Sequence, residues 1–130
     1  MAQSCLQISG DVLTTNQNVI DVARCWRAAR DHGDPVQPSL FHLLVKRSWE
    51  MLAPVFDSLL TFYEAMLGRP VEVGYAQSLS FDEQRLVDLL SGSQRLNYAA
   101  PDETARAFQS ALCSTRLMIC QTARGIRPAA

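Results

Sequence analysis

One run governs what this chain can become. Residues Ser39 to Gly68 read as a single amphipathic helix with a proline near its middle. On a helical wheel Phe41, Leu44, Val45, Trp49, Met51, Leu52, Val55, Phe56, Leu59, Leu60, Phe62, Tyr63, Met66 and Leu67 share one arc of about 180°. Lys46, Arg47, Glu50, Asp57, Ser58, Thr61 and Glu64 take the other side, with Leu43 the main exception. The phase carries across Pro54, which predicts one helix bent there rather than two. Pro54 falls among the polar positions, where a bend convex toward water absorbs its missing N–H and its ring. Ser39 is the expected N-cap, and Gly68 followed by Pro70 the expected stop.

A helix of that length spans about 42 Å. A compact chain of 130 residues is roughly 36 Å across. The helix therefore has to be central, with shorter helices covering its flanks. An apolar arc that wide is hard for three shorter helices to cover, so a second copy of the chain is expected to cover part of it.

Composition sets the class. Hydrophobic residues make up 48% and charged residues 19%, the balance of a globular chain rather than a disordered one. One domain over residues 1–130 is expected, long enough to bury a core without staples. A net charge of −1 removes the broad attraction on which non-specific nucleic-acid binding depends. Lys46 is the sole lysine, an arginine bias that points to a GC-rich, bacterial coding sequence. No apolar run reaches the roughly 18 residues of a membrane span. The start, Met1 to Ile8, has no basic segment followed by an apolar one. The expected location is cytoplasmic.

The remaining segments predict shorter helices around the long one, for an all-α domain of about four main helices. Residues 1–13 read as a short extended arm that must dock on something. The first helix is expected from about Asn16 to His32, closed by Gly33, with Val19, Val22, Trp26 and Ala29 inward. Arg24, Arg27 and Arg30 line its other side. They suit an acidic partner or phosphate, or a solvated face balanced by Asp21 and Asp31. Ser80-Phe81-Asp82-Glu83 matches a capping box, opening a short helix to about Leu90. The last helix is expected from near Pro101 to Ala123, with a main face that includes Phe108, Leu112 and Ile119. A thinner stripe, Cys113, Leu117 and Cys120, flanked by Arg116, is the expected self-association surface on that helix. Residues 126–130 are expected to be a frayed tail.

The motifs of chemistry are missing. There is no phosphate-binding loop, dinucleotide fingerprint, paired-histidine zinc motif or nucleophile elbow. Cys5, Cys25, Cys113 and Cys120 form no CxxC and read as reduced, half-buried thiols. His32 ends a helix, where the dipole stabilises it, and His42 sits at the edge of an apolar face. A helix-turn-helix would need a three- or four-residue turn before the last helix, and that connection is longer and ends in Asp102 and Glu103. No catalytic residue, cofactor or metal is expected, and no nucleic-acid or membrane partner. The reading is a homodimeric protein-interaction or regulatory protein of the adaptor or anti-activator kind. Its rival is a small-molecule-binding domain or cofactor-free enzyme with a pocket lined by Trp49, Phe56 and Tyr63.

Overall fold

The computed structural model describes residues 11–95 and 103–123. They form five helices: α1 (Asp11–His32), α2 (Val36–Val45), α3 (Ala53–Leu67), α4 (Phe81–Ser91) and α5 (Glu103–Ala123). A short 3-10 helix, Glu50–Leu52, leads into α3. The all-α class expected from the sequence is the one observed. Residues 1–10 of the expected arm lie outside the described residues, and residues 11–13 form the first turn of α1. The tail 126–130, and Pro101 and Asp102 at the expected start of the last helix, also lie outside them.

The single long helix is corrected: it is two helices with a turn between them. The backbone of α2 ends in a double closure. The Trp49 N–H donates to the Leu44 carbonyl at 3.1 Å and the Ser48 N–H to the Val45 carbonyl at 3.3 Å. Those are the two bonds of a Schellman ending. They require the residue between them to be left-handed, and Ser48 has φ 62°. Glycine usually fills that position because a Cβ there is strained. Trp49 and Leu44 both enter the core, the apolar contact that accompanies such an ending. Pro54 does not bend a helix. It stands in the first turn of α3, where the missing N–H has no intrahelical partner to lose. Ser39 is not a cap either: α2 begins at Val36, and the Ser39 hydroxyl donates back to the Pro35 carbonyl at 2.7 Å. The first helix starts at Asp11 rather than the expected Asn16, whereas the ends at Gly33, Gly68 and Gly92 fall where the sequence put them, all three left-handed, and Ser80–Glu83 makes a complete capping box.

The core is built around α3, whose Phe56, Leu59, Leu60 and Tyr63 are buried. Trp49 stacks on Phe56 with ring centroids 6.1 Å apart, and Tyr63 on Phe108 at 5.0 Å. The second stack fixes the direction of α5. Tyr63 near the end of α3 meets Phe108 near the start of α5, while the 3-10 helix before α3 also touches α5. Only an antiparallel pair permits both. On the opposite flank α1 contributes Trp26, fully buried, whose indole N–H donates to Asp57 at 3.0 Å.

The thiols need one correction. Cys25 and Cys113 are free, but Cys120 is disulfide-bonded.

The connection from Gly68 to Ser80 is tied down by two carboxylates at the start of α4. Asp82 and Glu83 are 1% and 2% exposed. Arg69 grips Asp82 through two hydrogen bonds of 2.6 and 2.8 Å, and the Glu72 N–H adds a third at 2.9 Å. Arg24 grips Glu83 in the same forked way at 2.8 and 3.1 Å, and its remaining nitrogen donates to the Ala76 carbonyl at 2.8 Å. The turn it holds joins Tyr75 to Ser78 by two backbone hydrogen bonds, with Ala76 left-handed at φ 54°. Gly74 lets this turn close: a Cβ there would sit 2.0 Å from the Ser78 carbonyl oxygen.

Three expected outcomes follow from this architecture. Ser48→Gly removes the left-handed penalty and should raise stability by about 1 kcal/mol in urea melts. Trp49→Ala and Phe56→Ala should each cost about 3–5 kcal/mol by the same measurement. The third concerns acid. The Arg69 guanidinium, against the opposing effect of burial, holds the Asp82 carboxyl below the usual range, helped by the Glu72 N–H. Burial pushes the Glu83 carboxyl up, but Arg24 and the Ser80 and Gly74 N–H groups together outweigh it and leave it lowered. Groups lowered by folding stabilise the chain fully above their unfolded values, near 4, and that contribution is lost as pH falls through the folded values. Melting temperature should hold from about pH 7 to 5 and fall below about pH 4. Asp82→Asn should lower it at pH 7 and flatten the acid limb.

Candidate functional site

Most charged side chains that could have met a partner are spent inside the chain. Arg24, Arg27 and Arg30, expected as a dock for acidic groups, face chain acids instead. Arg24 holds Glu83, Arg27 pairs with Asp31 and Glu64, and Arg30 reaches Glu64 at 3.7 Å. Arg30 also lies over the Trp26 ring, 4.7 Å from its centroid. Glu64 closes the circuit by accepting the Val71 N–H at 2.9 Å. Arg47, placed on the polar side of the wheel, reaches from the turn after α2 back to α1, donating to Asn18 and Asp21 at 2.8 Å each. The arginine row is thus a seam between α1, α3 and α4, and the expected acidic-partner face is corrected to an internal one.

The expected pocket at Trp49, Phe56 and Tyr63 is also corrected. These rings are 7%, 1% and 0% exposed and fill the space themselves. The hollow of about 630 Å³ lies on another side of α3, between it and α5. Its α3 wall is Pro54, Val55, Ser58 and Phe62. The α5 wall is Ala107, Ser110, Ala111 and Ser114, with Thr115 at its floor. Small residues recur there at helical spacing, so α5 presents no bulk and the surface sinks between the two helices. None of these lining residues is charged. The hydroxyl of Thr115 is bound to the Ala111 carbonyl at 2.6 Å. The two charged residues of α3, Asp57 and Glu64, point the other way, toward α1, α2 and the chain after α3.

Large apolar side chains are exposed in the groove wall and on the helices that form it or just before them. Phe62 is 38% exposed and Met51, just before α3, is 58% exposed. Leu117 is 60% exposed and lies seven residues beyond Ser110 and three beyond Ser114, so it shares their side of α5. The expected interface stripe of Cys113, Leu117, Cys120 and Arg116 therefore divides. Leu117 and Cys113 are exposed. Cys120 packs against the core and is disulfide-bonded. Arg116 turns inward to donate to the Leu89 and Leu90 carbonyls at 2.7 and 2.9 Å. It caps the C-terminus of α4, where a cation is favoured. A second hollow of about 470 Å³ adjoins it, with Gln94, Arg95 and Gln109 in its wall.

The histidines take no part in either hollow. His32 bonds the Ala28 carbonyl at 2.7 Å in the last turn of α1, and His42 is exposed on α2. Among the described residues no group of three or more His, Cys, Asp or Glu side chains is placed to hold a metal ion. No described helix is long and apolar enough to cross a membrane. The sequence reading missed the groove because Pro54 and Ser58 lay on the wheel's polar side. The signal that was available was the run Ala107 to Thr115, which holds no charged residue. No family model matches the chain, no curated protein matches its sequence, and no solved structure matches its fold.

Proposed function

We propose that this chain works by binding protein, as a regulatory or adaptor element of the anti-activator kind, through the face formed by α3 and α5. The observation that carries this reading is the uncharged groove between those helices, with Phe62 in its wall and Leu117 exposed on the same side of α5 as Ser110 and Ser114. Charge depletion with apolar anchors at the edge is the composition of interface centres. An apolar helix of a partner fits such a groove, laying its apolar side chains against the small residues of α5. The lining offers aliphatic groups and hydroxyls and no acid, base or thiol, which supports recognition over proton transfer or nucleophilic chemistry.

The test is a photo-crosslinking amino acid at Ser110, in the wall of the groove, compared with one at Gln84, exposed on α4. Discrete protein adducts at Ser110 and none at Gln84 are expected. Equal labelling at both positions, or no protein adduct at Ser110, overturns the reading.

A further inference from the structure

We infer that the occupant of the α3–α5 groove is the same groove of a second copy of this chain, so that two helix pairs close into a four-helix interface. This rests on the interaction reading above and gives its partner an identity. Three observations favour a second copy.

The first is shape. The face carries both halves of a fit: a hollow walled by Ala107, Ser110, Ala111 and Ser114, and protruding side chains, Phe62 and Leu117, beside it. In a two-fold pair each surface meets its own copy, so residue i contacts j and j contacts i. A surface with only hollows or only protrusions cannot satisfy that condition.

The second is charge. A two-fold pair brings like groups together, and like charges would oppose it. The groove lining has none, and Glu103 and Arg106 at the start of α5 are opposite in sign. The whole chain carries only −1, so repulsion between copies is negligible.

The third is area. Two adjacent helices, each about 10–12 Å wide, over the roughly 22 Å length of α3 present about 500 Å² in projection. A symmetric pair therefore removes on the order of 1,000 Å² from water, the lower bound for a specific interface. That is the size of a weak or transient contact rather than of an obligate dimer. Small residues along α5 allow the close helix approach that a four-helix packing needs.

Sedimentation velocity from about 1 μM to about 1 mM tests this. The wild-type chain should shift with concentration toward twice its 14.4 kDa mass. Ser114→Arg and Leu117→Arg each put a charge into the contact at an exposed position and should weaken the dimer about tenfold or more. Their thermal midpoints should match wild type. Phe81→Arg, at an exposed position on α4, should leave the dimer unchanged. A chain that stays monomeric throughout overturns the inference, as does a dimer weakened by Phe81→Arg and indifferent to the other two. The crosslink at Ser110 separates this failure from failure of the interaction reading. An adduct of twice the chain mass supports the second copy. A discrete adduct of another mass, with a monomeric chain, overturns the second copy and leaves the interaction reading in place. No adduct overturns both.

Discussion

The left-handed turn at Ser48 decides where the rest of the chain goes. With helical backbone at that residue, α2 and α3 would be one rod as long as the domain itself. With φ 62°, the chain leaves α2 after three turns and re-enters a helix at Ala53, so α2 can pack on α1 while α3 runs through the centre. A serine there costs about 1–2 kcal/mol relative to glycine. The compensation lies on either side of it. Trp49, immediately after Ser48, is buried against Phe56, and Leu44, in the last turn of α2, is fully buried. A straight helix would keep these residues on one face but could not fold them around a common centre. Backbone strain at one residue is thus offset by side-chain burial at its neighbours.

A second constraint is electrostatic and holds the other half of the molecule. Asp82 and Glu83 open α4, where the helix dipole already favours negative charge, yet they are buried, which disfavours it. Arg69 and Arg24 resolve the conflict with two-pronged hydrogen bonds. The geometry does more than neutralise two charges. Arg24 comes from α1 and Arg69 from just past the Gly68 end of α3, so the start of α4 becomes the point at which three helices are bolted together. The Gly68–Ser80 connection is ordered as a consequence, because its backbone N–H and carbonyl groups complete the hydrogen bonding of the same four side chains.

How far the sequence disclosed this depends on the kind of signal. Ser80–Glu83, Gly33 and Gly68 were legible because capping and left-handed endings have residue preferences strong enough to read singly. Ser48 was not, because serine in that conformation is chosen by tertiary burial and leaves no local mark. The apolar phase even continued through the break: four residues of turn followed by a 3-10 helix keep Leu44, Trp49, Leu52 and Phe56 all inward, so periodicity alone could not distinguish one helix from two. The arginine row was visible as a row, but its partners, Glu64 and Glu83, lie 37 and 59 residues away from Arg27 and Arg24. Long-range ion pairs have no sequence signature. The same holds for the groove, which exists only once α3 and α5 are antiparallel.

The groove also explains a feature of α5 that core packing leaves open. Its inward side, Phe108, Leu112 and Ile119, is bulky and fully buried, enough to seat the helix on α3. A helix whose outward side served only solubility would carry charge there, as most exposed helices do. Between Ala107 and Thr115 α5 carries none, and it keeps small side chains where long ones would cost nothing in an unoccupied surface. Charged residues appear on α5 at Glu103, Arg106 and Arg116, which flank this stretch, and Arg116 is drawn inward to the end of α4. Charge is thus absent from the length of α5 that faces the groove and, beyond Arg116, from Leu117 to Ala123. Stability of the single chain does not require an uncharged wall there, whereas a second surface packed against it would, since an unpaired charge buried in such a contact is among the costliest substitutions available.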